Sequence, residues 1–377
     1  MHIPLIKPDL PRLDDIREPL EEILSNGRIT NFGKYMQQFE SEAGAYLGTQ
    51  TAAVSSGTMG LIFTLGALGV QPGQKIILPS HTFMATAQAA LYAGGIPVFT
   101  EIDDDMNMSV ADLREQLERH PDTGAVIAVH MYGLPARVSE IEAAVAEASR
   151  RIGRRIPLIF DAAHAFGSSI KGTKVGGFGD AEVFSLSVTK SLVTVEGGLI
   201  STRNADLITR IRSMRNYGVL SNYNAHFPGL NGKMSEFHAI VGLYNLRRCD
   251  ELVTARQERA RCFRSKVESA TKFRVTPCPE GIGHTFKDFT VFLPEQTASE
   301  KREPLMKFLS ERSIETRAYF FPPVHEQAYF AKFADRPLPR TERLCRRVLT
   351  LPFYATLTTE EMDYMVAALK DAEDTIL

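Results

Sequence analysis

The chain has 377 residues, of which 44% are hydrophobic and 23% charged, and a formal net charge of −2 at pH 7. Such a chain buries a core without staples, and its balanced charge favours neither nucleic acid nor an anionic membrane surface as partner. Cys249, Cys262, Cys278 and Cys345 form no CxxC pair and read as reduced thiols, as in a cytosolic protein.

The first ten residues lack the charged and apolar regions of a signal peptide. The uncharged run 50–74 carries Ser55, Ser56, Thr58, Thr64, several glycines and Pro72, so a buried helix fits it better than a bilayer span. A cytoplasmic location is expected.

From there the chain alternates short apolar runs with helix-period stretches. Strands are expected at 52–55 and 75–78, a helix at 83–92, a strand at 97–101, a helix at 110–119, a strand at 125–130 and a helix at 139–150. Strands at 157–161, 181–186 and 198–202 complete the series. Strands that are apolar throughout and joined by helices predict an α/β fold with a mostly parallel sheet covered on both faces.

One long helix is expected over 235–268, apolar at first (Phe237, Ile240, Val241, Leu243) and then rich in Arg and Glu. It would connect a large domain, 1–246, to a smaller C-terminal α/β domain, 247–377. The second domain has strand candidates at 289–293 and 316–320. Its last helix opens at Thr358 with Glu361 three residues on, the capping-box spacing.

Chemistry concentrates between 159 and 202. Asp161 ends the apolar run Ile-Pro-Leu-Ile-Phe-Asp, and Lys190 follows another in Asp-Ala-Glu-Val-Phe-Ser-Leu-Ser-Val-Thr-Lys. Open α/β sheets bind small ligands at the carboxyl ends of their strands, which is where both residues fall. A desolvated lysine can lose its proton near neutrality and act as a nucleophile, and a buried carboxylate can keep a heterocyclic nitrogen protonated. Ser55-Ser56-Gly57-Thr58 lies between a strand and an apolar helix, a turn that offers N–H groups and a positive helix end to an anion. Ser185 stands five residues before Lys190 and can add a hydroxyl. Phe83, in Pro-Ser-His-Thr-Phe, follows an apolar strand, where its ring either stacks on a planar ligand or packs in the core.

These segments resemble the DegT/StrS-type nucleotide-sugar aminotransferases. The similarity rests on Ser-Gly-Thr at 56–58, Pro-Ser-x-Thr-Phe at 79–83, Asp-Ala-Ala-His at 161–164 and Phe-Ser-x-x-x-Thr-Lys at 184–190. Glu-Gly-Gly at 196–198, Asn-Gly-Lys-Met-Ser-Glu at 231–236 and Leu-Pro-Phe-Tyr-x-x-Leu-Thr at 351–358 extend it in the same order. The resemblance implies the fold type I of pyridoxal 5'-phosphate (PLP) enzymes and a homodimer with active sites at the subunit boundary. It implies that Lys190 holds the cofactor as a Schiff base, Asp161 pairs with the pyridine nitrogen and Phe83 stacks on the ring. Gly57, Thr58 and Ser185 would hold the phosphate, and His164 would stand beside the phenolic oxygen. Asn231, and with it Lys233, would reach the phosphate from the other subunit, and His325 would face substrate. Ser187 departs from the family, which usually has His there, so the substrate contacts at that position are in question.

The finer features look most like enzymes that aminate C4 of dTDP-4-keto-6-deoxyglucose with glutamate as donor. Among alternatives, Ser187-Val-Thr-Lys190 matches the SxxK of acyl-serine hydrolases, but the accompanying Ser-Asp-Asn and Lys-Thr-Gly are missing. A PLP-binding sugar dehydratase and a non-catalytic relative also stand as alternatives. Gly176-Gly177-Phe178-Gly179 lacks the spacing of a dinucleotide loop and reads as a turn.

Overall fold

The computed structural model describes residues 1–377. Its centre is a seven-stranded sheet of β1 (Gln50–Val54), β2 (Lys75–Pro79), β3 (Ile96–Thr100), β4 (Thr123–Val129), β5 (Leu158–Asp161), β6 (Ala181–Ser185) and β7 (Gly198–Thr202). The spatial order is β1-β7-β6-β5-β4-β2-β3. Pairing is parallel from β3 through β6, and β7 alone runs against its neighbours β6 and β1. All seven expected strands are present, with ends shifted by a residue or two.

The sheet is apolar on both faces because helices cover both. Ile76 and Leu78 point to a core shared with Leu61 and Leu65 of the helix Gly57–Ala67. Ile77, between them, joins Leu113 and Ile141 from the helices Val110–Arg119 and Val138–Ile152. This is the period-2 alternation of a strand with both sides buried. The uncharged run 50–74 divides accordingly into β1 and the buried helix after it.

The long helix expected over 235–268 is two helices, Glu236–Arg247 and Cys249–Ala270, broken at Arg248. The first packs Ile240, Leu243 and Leu246 with Phe39 and Phe184 beside the large sheet. The second begins in that same core with Cys249 and Val253 and then turns Ala260, Phe263 and Val267 into a separate core with Phe289, Leu351 and Leu369. The change of core falls within this second helix, between Val253 and Ala260, and periodicity does not register the change of partner. We propose the break at Arg248 as the boundary between domains 1–246 and 247–377, with Ile3 crossing back to bridge Ile314 in the second core.

The smaller sheet consists of β8 (Arg274–Val275), β9 (Phe289–Phe292) and β10 (Val348–Leu351), with β9 in the middle. The strand expected at 316–320 is absent, and only Arg317 makes a bridge, to Thr350. Pro322 and Pro323 follow after Phe321 and cannot extend a ladder, having no N–H to donate. The final helix begins as expected: Thr358 Oγ1 accepts from Glu361 N–H, and the Glu361 carboxylate accepts from Thr358 N–H.

Candidate active site

The strands β1, β2, β5 and β6 run in the same direction, so their carboxyl ends deliver Ser55–Thr58, Ser80–Phe83, Asp161 and Ser185 to one edge of the sheet. A cavity of about 390 Å³ opens there. It is lined by Gly57, Thr58, Phe83, Asp161, His164, Ser185, Ser187 and Lys190, eight of the residues singled out from sequence. A larger groove of about 820 Å³ lies elsewhere, beside Glu40, Arg212 and Arg215. Those three groups are already ion-paired with one another and include no nucleophile.

The anion-binding end is built by close approach. Ser56 caps the helix Gly57–Ala67, its hydroxyl accepting from Met59 N–H at 3.1 Å. The N–H groups of Gly57 and Thr58 find no acceptor within the fold, and at a helix N-terminus such free donors favour an anion. Glycine is needed on both sides of this turn. A Cβ on Gly57 would lie 3.1 Å from Ser185 Cβ, and one on Gly198 would lie 2.5 Å from the Ser56 carbonyl.

Asp161 is the last residue of β5 and only 6% exposed. Its carboxylate accepts from Thr86 Oγ1 at 2.8 Å and from Ala163 N–H at 3.1 Å. Burial nonetheless pushes its pKa up, the signature of a carboxylate short of a cation. Lys190 is half-buried and lines the cavity. Burial, and then the charge of Lys287, bring its pKa down to about 7. The amine therefore gives up its proton far more readily than an ordinary lysine.

His164 is held in one tautomer. Tyr132, with a left-handed φ of 59°, donates its N–H to His164 Nδ1 at 3.2 Å. Burial keeps the ring's pKa well below its usual value, so the ring is neutral and Nε2 carries the proton. It is thereby a hydrogen-bond donor. Phe83 is 52% exposed at the cavity mouth, with its ring centroid 5.9 Å from that of Phe320.

Three sequence candidates lie outside the cavity of their own chain. Asn231 is exposed, although its neighbour Gly232 accepts from Ser55 N–H at 2.8 Å, next to the anion turn. Lys233 Nζ donates to Asn216 Oδ1 at 3.4 Å and lies over the Tyr217 ring. His325, expected on the substrate side, is instead buried: Nδ1 lies 2.6 Å from Ser80 Oγ and Nε2 lies 3.3 Å from Glu342. Ser80 is fully buried, so this serine–histidine–carboxylate series is a packing device that ties the 322–326 turn to β2.

Sequence reading missed Lys287, Tyr319 and Phe320, and gave Glu196 no role beyond its place in the Glu-Gly-Gly motif; all four line the cavity. The charged pair Lys287-Asp288 immediately precedes the fully buried β9, a charge beside a buried strand, although at its amino end and not at the carboxyl end that singled out Asp161. Tyr319 and Phe320 were hidden inside the expected strand.

The donor set suits PLP: an amine for its aldehyde, a cation-deficient carboxylate for its ring nitrogen, free N–H groups for its phosphate. The model of the DegT/DnrJ/EryC1/StrS aminotransferase family matches residues 13–370. The chain belongs to that family. A GDP-perosamine synthase of Caulobacter vibrioides is 32% identical over 373 residues, 97% of this chain and 98% of that protein. A dTDP-4-amino-4,6-dideoxy-D-glucose transaminase of Shigella dysenteriae is 30% identical over 367 residues, 97% of each. The crystal structure of DesI in the presence of its TDP-sugar product has a TM-score of 0.90 to this chain at 29% identity, covering 99% of this chain and 93% of that one. The protein is a sugar aminotransferase of the PLP-dependent kind.

Proposed function

We propose that this aminotransferase moves an amino group from glutamate to the keto carbon of a nucleotide-linked deoxy sugar. The specific reaction is amination of dTDP-4-keto-6-deoxyglucose at C4, giving dTDP-4-amino-4,6-dideoxyglucose. The observation that carries the reading is the meeting of Lys190, Asp161 and the Ser56–Thr58 turn in one cavity.

Bound PLP supplies an electron sink for the carbon that bears the nitrogen. Lys190 attaches the cofactor at rest and afterwards, as a free amine, takes the proton from the donor α-carbon. In the second half it returns a proton to the sugar carbon. A pKa of about 7 suits both directions. Asp161 keeps the ring nitrogen protonated and in doing so gains the cation that its buried carboxylate lacks. His164, a donor at Nε2, would hydrogen-bond the phenolic oxygen, and Phe83 would lie against the ring. The N–H groups of Gly57 and Thr58, with the Ser185 hydroxyl, hold the phosphate. The Ser187 hydroxyl, at the cavity wall where relatives have a bulkier imidazole, leaves room for the sugar.

The assembly is a homodimer in this reading. Tyr217, Leu220, Tyr223 and Leu230 are 51–100% exposed, an apolar arm suited to a second copy, and Asn231 and Lys233 adjoin it. No helix is long and apolar enough to cross a membrane, which fits work on nucleotide sugars in the cytoplasm. A second reading, a different nucleotide-linked 3- or 4-keto sugar, is favoured by the 32% identity to a GDP-perosamine synthase, against 30% for the dTDP enzyme.

The test is incubation of cofactor-loaded protein with glutamate and a panel of dTDP-, UDP- and GDP-linked 3- and 4-keto sugars. The expected product is the C4-aminated dTDP sugar. Turnover of only a GDP or UDP sugar, or nitrogen at C3, overturns the specific assignment.

A further inference from the structure

The cavity holds two lysines, and the reaction as described uses one. Lys287 is 6% exposed and sits just before β9, where its N–H donates to the Tyr132 carbonyl at 2.9 Å. Its Nζ donates to Asp288 Oδ1 at 2.7 Å and lies 5.3 Å from the Tyr319 ring centroid. An ammonium has three N–H donors. One is taken by Asp288, and the other two have no acceptor in the protein although the group is buried at a cavity wall. Buried donors left unmet are costly, so this arrangement calls for an acceptor from a ligand.

The ligand's chemistry follows from the cavity's composition. No arginine lines it, and Lys190 and Lys287 are its two cations. An α-amino acid donor brings a carboxylate attached to the carbon whose proton Lys190 removes. That carboxylate therefore comes to rest close to Lys190, where the charge of Lys287 is already felt. A sugar diphosphate is a poorer match, since its bulk and double charge belong at the open mouth, where Phe83 is half exposed. We propose that Lys287 receives the α-carboxylate of the amino donor, and that Asp288 holds its ammonium in place. The proposal rests on the reading of the enzyme as one that takes an α-amino acid donor.

Rapid mixing of cofactor-loaded enzyme with L-glutamate or 4-aminobutyrate, which is glutamate without its α-carboxylate, tests this through the cofactor's visible absorption. Calorimetric binding of 2-methylglutamate, which has no α-proton to lose, gives a readout independent of turnover. In Lys287→Gln the apparent Kd for glutamate and the Kd for 2-methylglutamate should both rise about 10- to 100-fold, as expected for a lost charge-assisted pair. Compared at each variant's own pH optimum, which takes out the effect of Lys287 on Lys190, the response to 4-aminobutyrate and the KM for the nucleotide sugar should stay put, and Lys287→Arg should recover part of the affinity. The double variant Lys287→Met/Asp288→Asn removes both charges at once, avoids an orphaned carboxylate and should show the same pattern. Unchanged affinity for both amino acids in folded variants overturns the assignment. An equal loss for glutamate and 4-aminobutyrate, or a raised KM for the nucleotide sugar alone, does so too. A wild type that accepts no α-amino acid overturns the donor reading itself, whereas a wild type active on glutamate beside an unimpaired Lys287→Gln overturns only the role of Lys287.

Discussion

Replacing Asp161 by Asn isolates what the buried carboxylate does. Asparagine keeps the shape, and its carbonyl oxygen can still accept from Thr86 Oγ1, the 2.8 Å bond that anchors the side chain. The charge is what disappears. Without cofactor that charge has no direct ion pair, only the more distant influence of Lys190 and His130, and burial outweighs them and raises the carboxyl's pKa, so its removal should leave the apoprotein about as stable as before. With cofactor bound, the variant breaks a buried ion pair to the ring nitrogen, worth about 3–5 kcal/mol. At about 1.4 kcal/mol per factor of ten, that corresponds to roughly 10²–10⁴. The loss divides between cofactor retention and the rate of the donor half-reaction. It is measured by equilibrium dialysis of cofactor and by single-turnover absorbance with glutamate at saturating cofactor, alongside thermal unfolding of the apoprotein. A variant within threefold of wild type in both cofactor affinity and rate would refute the pairing. A variant whose apoprotein unfolds several degrees lower would mean that the carboxylate is structural.

Lys190→Ala should lose turnover by about 10³ or more, because nucleophile and proton carrier go together, and the cofactor should become removable by dialysis. A dialysis-stable, active variant would contradict the assignment. The amine's pKa sits at about 7, well below its ordinary 10.5. Between those values the unfolded chain binds one proton more than the fold, so apoprotein stability should rise with pH across that window. The difference from Lys190→Met in urea unfolding should show this, at well under the ceiling of about 1.4 kcal/mol per pH unit because cavity water reaches the amine. Reaction of the apoprotein amine with an aldehyde probe should likewise titrate near pH 7, and a midpoint near 10 would remove the basis for its role. Gly198→Ala would drive a methyl against the Ser56 carbonyl. It should weaken cofactor binding about 5- to 100-fold by displacing the phosphate turn, an overpacking cost of about 1–3 kcal/mol. Tyr223→Asp, on the fully exposed arm, should shift sedimentation towards monomer and lower activity, and an unchanged dimer would exclude the arm from the interface.

The order of elements and most of the site could be read from the residues alone. Each sheet strand is a short apolar run, and the residues that end those runs, Asp161 and Ser185 among them, line the cavity because parallel strands deliver their carboxyl ends to one edge. The Thr358–Glu361 cap was equally legible, being a bond between near neighbours. What the chain's order could not express were relations between distant segments. The stretch 236–270 breaks at Arg248 and passes from one core, which holds Leu246, Cys249 and Val253, to another, which holds Ala260 and Phe263, and only the meeting of distant segments creates those two cores. His325 lost its substrate-facing place to bonds with Ser80 and Glu342, 245 and 17 residues away. Lys287, Tyr319 and Phe320 entered the cavity from the C-terminal part of the chain, more than 90 residues beyond Lys190. Local patterns fix local hydrogen bonds and the faces that must be buried, whereas which buried faces meet, and which charges are thereby brought within reach of one amine, is decided only when the chain closes on itself.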